Sequence, residues 1–495
     1  MEGDYSTERA YYLSFLNRNV TGRSGEEESL RTTPLFSLAV KHAIDRTFQD
    51  GRARTPEANE AVSDEAADSA DECDMGGSSI ADNPGLQYSG QTLDAPILPQ
   101  YGLLGFHVGK HDQISHHEPI MLNVHAPNFA FICGSQGSGK SYTMNCFLEN
   151  CLLADEFPGK LRQPLAGLVF HYNIDSSGRT TQYQAATDNT ENLTVEKFLL
   201  PPSELSIERM HKLMAFSEKS DAVPLYMEVI QRILRQMAVS GQGRGFNYGE
   251  FLQLLDQAGL STDQQRPMRL RLDLLHSFMR WPPSKTDLKR KTARKLLDLQ
   301  PGTLTVVDLS DPFMDTATVC TLFDICLSLA KEKTPGCGMI VALDEAHKYI
   351  NQSPAAINFT DRLLTTVREQ RHIGTRVIIS TQEPTISEKL LDLCSISIVH
   401  HFKSPAWFRS ICNHLGGASG LVNSNKEQAT LFEQIVTLPV GESRVFAPGA
   451  FVCLDADGQP KRLGSGVLQM RTRSRLGFDA GVSLVAGERD SGTSR

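Results

Sequence analysis

One run of eight residues restricts the possible folds of this chain more than any other feature: Gly134-Ser135-Gln136-Gly137-Ser138-Gly139-Lys140-Ser141. The run has the GxxxxGK[ST] spacing, in which glycines allow successive backbone N–H groups to curl around a phosphate. Lys140 offers a positive charge to the β- and γ-phosphates, and Ser141 offers a hydroxyl to Mg²⁺. The apolar run Phe129–Cys133 predicts a strand before the loop, and Tyr142–Leu153 predicts a helix after it. We therefore expect ATP and Mg²⁺ to bind at this loop and at Tyr142.

Two acids follow a second buried-type strand. The run Met339–Leu343 ends in Asp344 and Glu345. We expect Asp344 to hold Mg²⁺ together with Ser141, and Glu345 to polarise the attacking water as the catalytic base. Nucleotide kinases and GTPases commonly lack the second acid, so the pair favours an ATP-hydrolysing protein. The alternative is that the two acids only cap the next helix.

A polar residue also follows the next strand along the chain. The run Val377–Ser380 leads to Thr381 and Gln382. An amide at this position can sense the γ-phosphate or hold the attacking water, so Gln382 joins the expected catalytic residues. The alternative is an amide that only faces a turn.

Apolar runs alternate with helical patterns through the second half of the chain. The strand-like runs are Gly167–His171, Leu304–Leu309, Met339–Leu343, Val377–Ser380 and Ser395–His400. Helical patterns lie between them, such as Thr318–Lys331 and Ser387–Leu393. This alternation is typical of a parallel sheet that is covered by helices on both faces. The predicted fold class is α/β, a RecA-like P-loop NTPase core with a mostly parallel sheet, a helical insertion, and disordered N- and C-terminal tails.

Four motifs in this order resemble those of the HerA–FtsK superfamily of P-loop ATPases. Leu343–Ile350 is similar to the Walker B region of that superfamily, and Val306–Ser310 to the strand that precedes it. Arg368–Gly374 resembles an arginine-bearing helix end, and Ser380–Pro384 resembles the sensor strand. The chain looks most like the uncharacterised HerA-like ATPases of fungi.

The resemblance implies an assembly as well as a chemistry. Members of the superfamily are typically rings, often hexamers, that move DNA or act as pumps, and an arginine of one subunit completes the site of its neighbour. Arg368 and Arg371 are therefore expected to be catalytic across a subunit boundary in a homo-oligomer. One position departs from the pattern, because His401 stands where relatives often carry arginine.

The interval between the two halves of the expected site is long. Asp344 follows Lys140 by 204 residues, many more than a minimal core needs. Apolar residues recur at helical spacing within it, first at Leu225, Val229, Ile233 and Met237, and then at Leu270, Leu274 and Phe278. Residues 173–301 are therefore predicted to form a helical insertion.

Part of this insertion is strongly basic. Residues 266–295 contain two acids and ten basic side chains: Arg266, Arg269, Arg271, Arg280, Lys285, Lys289, Arg290, Lys291, Arg294 and Lys295. Cationic loops could follow a DNA backbone. A solvated flexible linker and a nuclear-import signal stay open as alternatives.

The rest of the chain defines the expected domain limits. Residues 1–92 are predicted to be mostly disordered and acidic, since nine acids and no Lys or Arg lie between Glu57 and Asp82, with a possible short helix near 35–48. The ATPase core is expected at 93–172 and 302–473, and a flexible tail at 474–495. No long apolar run is present, and ten cysteines contain no CxxC pair, so we expect a cytoplasmic or nuclear protein without membrane contact.

Two functional hypotheses from different classes result. The first is an oligomeric ATPase motor of the HerA/FtsK type that translocates nucleic acid. The second is a nucleotide-dependent regulatory or protein-remodelling ATPase that has no DNA track. The resemblance favours the first, whereas the nearly balanced charge of the chain outside Glu57–Asp82 keeps the second open.

Overall fold

The computed structural model describes residues 25–53, 96–109, 114–154, 157–173, 196–214, 226–240, 245–282, 296–311, 313–333, 336–384, 386–414 and 425–476. The strands within these ranges are β1 (Leu35–Ser37), β2 (Tyr101–His107), β3 (Pro119–Asn123), β4 (Phe129–Cys133), β5 (Gly159–Lys160), β6 (Ala166–His171), β7 (Leu304–Asp308), β8 (Met339–Leu343), β9 (Thr375–Thr381), β10 (Ile396–His400), β11 (Glu442–Phe446), β12 (Phe451–Leu454), β13 (Pro460–Arg462) and β14 (Leu468–Thr472).

The α-helices of the same ranges are α1 (Gly25–Arg31), α2 (Leu38–Ala53), α3 (Lys140–Leu152), α4 (Ile207–Met214), α5 (Tyr226–Ser240), α6 (Tyr248–Gln257), α7 (Thr262–Ser277), α8 (Thr316–Glu332), α9 (Pro354–Arg368), α10 (Gln370–Ile373), α11 (Glu388–Leu391), α12 (Pro405–His414) and α13 (Asn425–Val436). Two short 3₁₀ helices, Pro202–Glu204 and Ala346–Lys348, complete the list for the described ranges.

Six parallel strands form the part of the sheet that carries the site. Their order is β7-β6-β8-β9-β4-β10, so β9 lies between β4 and β8. The pairing places Cys133 opposite Thr381, and Leu343 opposite Ile379. The residues that follow these three strands therefore meet at one edge of the sheet. This arrangement confirms the predicted α/β class.

Helices cover both faces of the parallel strands because the strands are apolar on both sides. On one face, Met144 and Phe147 of α3 pack with Ile132 of β4. On the other face, Phe323 of α8 lies 4.8 Å from Phe170 of β6, measured between ring centroids. The apolar side chains on the two faces fix β4 and β8 in the middle of the core.

Beyond β10 the sheet continues with mostly antiparallel strands, which the sequence pattern did not reveal. The order is β10-β11-β14-β2-β3-β1-β12-β13, in which only β1 and β12 are parallel, and β5 pairs with β2. The strand β14 belongs to the C-terminal part of the chain, yet it pairs with β2 from the region before the P-loop. The two parts of the chain that flank the insertion thus share one continuous sheet.

The segment near the N-terminus differs from the expected helix over 35–48. Leu35–Ser37 is the strand β1, and the helix α2 begins only at Leu38. Phe36 lies opposite Met121 on one side and Phe451 on the other, and it is fully buried. Burial on both sides favours an extended conformation here over the helical turn that the apolar spacing indicated. The acidic stretch Glu57–Asp82 lies outside the described residues.

Between β6 and β7 the chain contributes helices, as the insertion hypothesis expects. The helix α4 contacts α8, where Arg209 donates to Ser328 and pairs with Glu332, and Lys212 donates to Asp324 at 2.8 Å. In α5 the predicted residues Ile233 and Met237 are buried. The assignment of 173–301 as a separate insertion stays a prediction.

The prediction for α7 is wrong for two of its three apolar residues. Leu270 and Leu274 are exposed and Phe278 is buried, whereas Met268, Leu272 and Leu275 form the buried face of the helix. Both sets have helical spacing, and tertiary packing determines which one faces inward. Within the described ranges, no helix is long and apolar enough to cross a membrane.

Candidate active site

The loop between β4 and α3 has the shape that a phosphate-binding loop requires. Gly139 has a φ of 107° immediately before α3 begins at Lys140, a conformation that favours glycine. A Cβ atom at Gly134 would lie 2.7 Å from Ser138 Oγ and 2.7 Å from His400 Cβ. Gln136 and Gly137 are exposed at the tip of the loop, and Ser141 and Tyr142 lie in the first turn of α3. Backbone N–H groups and the N-terminus of α3 thus converge on one point.

The P-loop is anchored by hydrogen bonds to His401, the residue that follows β10. Ser135 donates from its backbone N–H to His401 O at 2.8 Å, and from its hydroxyl to the same oxygen at 2.9 Å. His401 Nδ1 lies 3.2 Å from Ser135 Oγ. The position at which relatives often carry arginine therefore supports the loop in this chain.

Lys140 lies across the loop and faces the acids of β8. Its Nζ donates to Ser135 O at 3.0 Å, and its side chain is buried. Burial lowers the pKa of Lys140, whereas the nearby carboxylates of Glu345 and Asp344 raise it. The same acids favour the charged form, which is the form that a polyphosphate needs.

Asp344 is buried at the end of β8, and a histidine accompanies it. Its Oδ2 lies 3.2 Å from Nδ1 of His171 at the end of β6. Burial alone would lower the pKa of His171, but the hydrogen bond and the negative charge of Asp344 raise it above its ordinary value. Sequence reasoning missed His171. A polar residue at the end of a buried strand was the available signal.

Glu345 has an unusual backbone conformation and a direct contact with Gln382. Its φ of 48° and ψ of 42° fall in the left-handed region, which is uncommon for residues other than glycine. Gln382 Nε2 donates to Glu345 Oε2 at 3.0 Å. The structure therefore brings together the two side chains that the sequence predicted from separate strands.

His347 completes this cluster and was also missed. Its Nδ1 accepts the backbone N–H of Gln382 at 3.4 Å and lies 3.5 Å from Glu345 Oε2. Burial lowers the pKa of His347, although the carboxylate of Glu345 opposes that shift. A neutral ring at this point orients the loop after β9 relative to the acids after β8.

The donor set fits Mg²⁺. Asp344 and Ser141 offer a carboxylate and a hydroxyl oxygen, and Mg²⁺ prefers such oxygens together with water and the phosphates of a substrate. Among the described residues, no group of three or more His, Cys, Asp or Glu side chains could hold a metal ion.

The two predicted arginines lie at the other edge of the sheet. The helix α9 starts after the acids and runs back along the strands, ending at Arg368. Met339 is paired with Thr375, and Arg371 is four residues before that pair, at the amino ends of the strands. Both arginines are exposed. At about 1.5 Å per residue, α9 separates them from Asp344 by roughly 20 Å, so they cannot reach the site of their own chain.

Comparisons with known proteins find similarity in structure only. No family model and no curated protein matches the chain. The VirB4 of Thermoanaerobacter pseudethanolicus is 11% identical with a TM-score of 0.48, over 75% of this chain and 96% of that chain. The genome packaging NTPase B204 of Sulfolobus turreted icosahedral virus 2, solved with ATP-gammaS, is 12% identical with a TM-score of 0.31, over 69% and 96%.

The cytoplasmic domain of the Type VII secretion ATPase EccC of Thermomonospora curvata is 12% identical with a TM-score of 0.30, over 76% of this chain and 28% of that chain. None of these three proteins is fungal, and the expected closeness to fungal proteins stays a prediction. Identities of 11–12% do not establish the function of this chain.

Proposed function

We propose that this protein is an ATPase of the HerA–FtsK type that hydrolyses ATP with Mg²⁺ at the loop Gly134–Ser141. The observation that carries the proposal is the order β4-β9-β8, which supplies Lys140, Gln382 and Glu345 from three adjacent strands. The hydrogen bond of 3.0 Å between Gln382 and Glu345 joins the groups that follow the adjacent strands β9 and β8. A structural cap for a helix would not need the second acid to contact a neighbouring strand.

The residues divide the work of hydrolysis as follows. Lys140 and the N–H groups of the loop neutralise the β- and γ-phosphates. Asp344 and Ser141 would hold Mg²⁺, which would supply further positive charge to the phosphates. Glu345 accepts a proton from water while the water oxygen bonds to the γ-phosphorus and the bond to ADP breaks. Gln382 holds the Glu345 carboxylate, so that the base keeps one orientation until the γ-phosphate enters.

Two variants test this assignment. Lys140→Ala should abolish ATP binding and leave the fold intact, because it removes the charge on the β- and γ-phosphates. Glu345→Gln should bind ATP with wild-type affinity and lose turnover on the order of 10²-fold or more, the scale of a positioned general base. Unchanged affinity in the first variant would refute the nucleotide site, and full turnover in the second would refute Glu345 as the base.

We further propose that the motor acts as a homo-oligomeric ring and moves DNA. Arg368 and Arg371 support the ring, because they are exposed at the edge of the sheet that cannot serve their own site. Arg266 and Arg269 support contact with DNA, because both are exposed on α7. Arg271 donates to Leu213 O at 3.0 Å instead, and the basic residues from Lys285 to Lys295 lie outside the described ranges.

Turnover measured with and without double-stranded DNA separates the two functional classes. A translocase should show stimulation that falls steeply as salt rises, because phosphate contacts release counterions. The double variant Arg266→Ala/Arg269→Ala should reduce that stimulation and leave basal turnover unchanged. Turnover that does not respond to DNA would instead favour the regulatory or remodelling ATPase.

A further inference from the structure

After β14 the chain crosses the helix that follows the P-loop. Arg473 donates from Nη1 to Glu149 Oε2 at 2.7 Å, and the backbone N–H of Leu476 donates to Glu149 Oε1 at 3.0 Å. Between these contacts, the backbone N–H of Arg475 donates to the Tyr142 hydroxyl at 2.8 Å. The segment Arg473–Leu476 is thereby fixed to the face of α3 that begins next to Ser141.

The guanidinium of Arg475 lacks hydrogen-bond acceptors for two of its nitrogens, whereas the guanidinium of Arg473 has them. Its central carbon lies 5.5 Å from the centroid of the Tyr142 ring. Its Nε and Nη2 are buried and have no hydrogen-bond partner among the described residues. Arg473, two residues earlier, donates from Nε, Nη1 and Nη2 to Leu103, Glu149 and Asn150. Buried cationic donors without acceptors are costly, so Arg475 is suited to an acceptor that the described residues do not supply.

The orientation of a bound nucleotide indicates which acceptor that is. The proposed function places the γ-phosphate beside Glu345 and Gln382, on the side of β8 and β9. A nucleotide in this orientation would extend its α-phosphate and nucleoside from the first turn of α3 toward the other side of β4, where β10, β11 and β14 lie. Arg475 follows β14 and stacks on Tyr142, the residue directly after Ser141. It therefore lies at the nucleoside end of the site.

We propose that Arg475 donates from Nε and Nη2 to the α-phosphate oxygens of the bound nucleotide. The inference rests on the proposed function and adds the C-terminal segment to the nucleotide site. Nε and Nη2 of an arginine form a fork that matches two oxygens of one phosphate, whereas Lys140 acts on the β- and γ-phosphates as a point charge. Nucleotide binding in turn fixes the segment Arg473–Leu476 against α3.

Binding of ADP and of its two α-thio diastereomers tests the proposal, with EDTA present so that no metal imposes a preference. In Arg475→Gln, ADP affinity should fall on the order of 10- to 100-fold, the scale of hydrogen bonds to a charged group. The wild-type protein should prefer one diastereomer, because sulfur faces Nε in one diastereomer and Nη2 in the other, and these two donors are not equivalent. The variant should lose that preference.

Three controls make each outcome decisive. Arg462 lies at the far end of the sheet, and its guanidinium carbon is 5.4 Å from the centroid of the Phe451 ring. The variant Arg462→Gln should bind ADP as the wild type does. Without nucleotide, Arg475→Gln should melt at or above the wild-type temperature, because it removes unpaired donors. Lys140→Ala should lose ADP binding.

Unchanged ADP affinity in Arg475→Gln would overturn the proposal, provided that Lys140→Ala no longer binds ADP. Weaker ADP binding with an unchanged diastereomer preference would also overturn it, because the contact would then be to the base or ribose. Tight ADP binding by Lys140→Ala would instead refute the proposed function itself.

Discussion

At the scale of single residues, His400 connects four elements around the P-loop. Its Nδ1 lies 3.0 Å from Glu442 O, which can only accept, so Nδ1 carries the proton. Its Nε2 therefore accepts from the Thr143 hydroxyl at 3.0 Å, and Thr143 Oγ1 accepts in turn from Thr472 at 2.9 Å. One neutral imidazole thus joins β10 to β11, α3 and β14. Protonation would turn Nε2 from an acceptor into a donor and reverse the direction of this hydrogen-bond chain, leaving a buried positive charge near Lys140.

His400 should make the protein less stable in acid. Burial lowers its pKa, the bond to Glu442 O opposes this shift, and the positive charge of Lys140 adds to it, so that the pKa is about 4. Between an unfolded pKa of about 6.5 and this folded value, only the unfolded chain binds the proton, so the free energy of unfolding falls as pH falls. The loss should reach on the order of 3 kcal/mol near pH 4.

Chemical denaturation at pH 7, 6 and 5 checks this prediction. The wild-type protein is compared with His400→Gln, in which the side chain at position 400 no longer titrates. The variant should be less stable at pH 7, since it loses part of the hydrogen-bond chain, but its stability should fall less steeply with pH. Equal slopes for the two proteins would show that His400 is not the titrating group.

Sequence alone could predict part of the site. There is a physical reason why some of its residues could be predicted and others could not. The P-loop, Asp344, Glu345 and Gln382 follow strands whose apolar runs are unmistakable, and parallel strands bring their carboxyl ends together. His171 and His400 also end apolar strands, but nothing in the sequence indicates their partners, and His347 does not directly follow a strand. Their roles come from hydrogen bonds to residues distant in sequence, and the same is true of Arg475.

At the scale of elements, predictability follows burial. The parallel strands are buried on both faces and read as continuous apolar runs, which is why β4, β6, β8, β9 and β10 could be predicted. The strand β1 has only three residues and is followed directly by α2. The helical spacing of apolar residues in α2 therefore led to a predicted helix that included β1. The pairing of strands that are distant in sequence could not be predicted, as when β14 of the C-terminal part pairs with β2.

Phe36 tests whether β1 holds the far end of the sheet together. The hairpin β12–β13 joins the sheet through β1, and the Phe36 ring lies 5.8 Å from the Tyr101 ring. Phe36→Ala should cost about 3–5 kcal/mol of stability and speed hydrogen exchange in β12, since it leaves a cavity in the core. ADP affinity should hold, because β3, β2, β14, β11 and β10 separate β1 from β4.

The matched control is Phe313→Ala, whose side chain is 94% exposed, and its stability should change by less than about 0.5 kcal/mol. Unchanged exchange in β12 of the Phe36→Ala protein would mean that the hairpin is held by other contacts.

At the scale of the whole molecule, the sheet has two functional edges. The carboxyl ends of the parallel strands hold the P-loop and its acids, and the amino ends hold Arg368 and Arg371. A single chain cannot bring these edges together, whereas a ring of heterologous contacts places one edge against the opposite edge of the next subunit. The proposed ring would give the exposed arginines a role that they cannot have in a monomer, although Glu369 between them pairs with Lys331 within the chain.

Mixing two inactive variants tests the ring. Arg368→Ala and Arg371→Ala should each bind ATP normally, and the arginine that acts across the boundary should lower turnover on the order of 10³-fold when removed, because it meets charge that develops only in the transition state. Arg409→Ala, which removes an exposed arginine of α12, is the control and should stay active.

Equimolar mixing of the impaired variant with Lys140→Ala should restore activity, since about a quarter of randomly formed interfaces then pair an intact P-loop with an intact arginine. Dilution below the concentration at which the subunits assemble should abolish both this recovery and wild-type turnover. A monomer with full activity in dilute solution would refute the ring and the role of either arginine together.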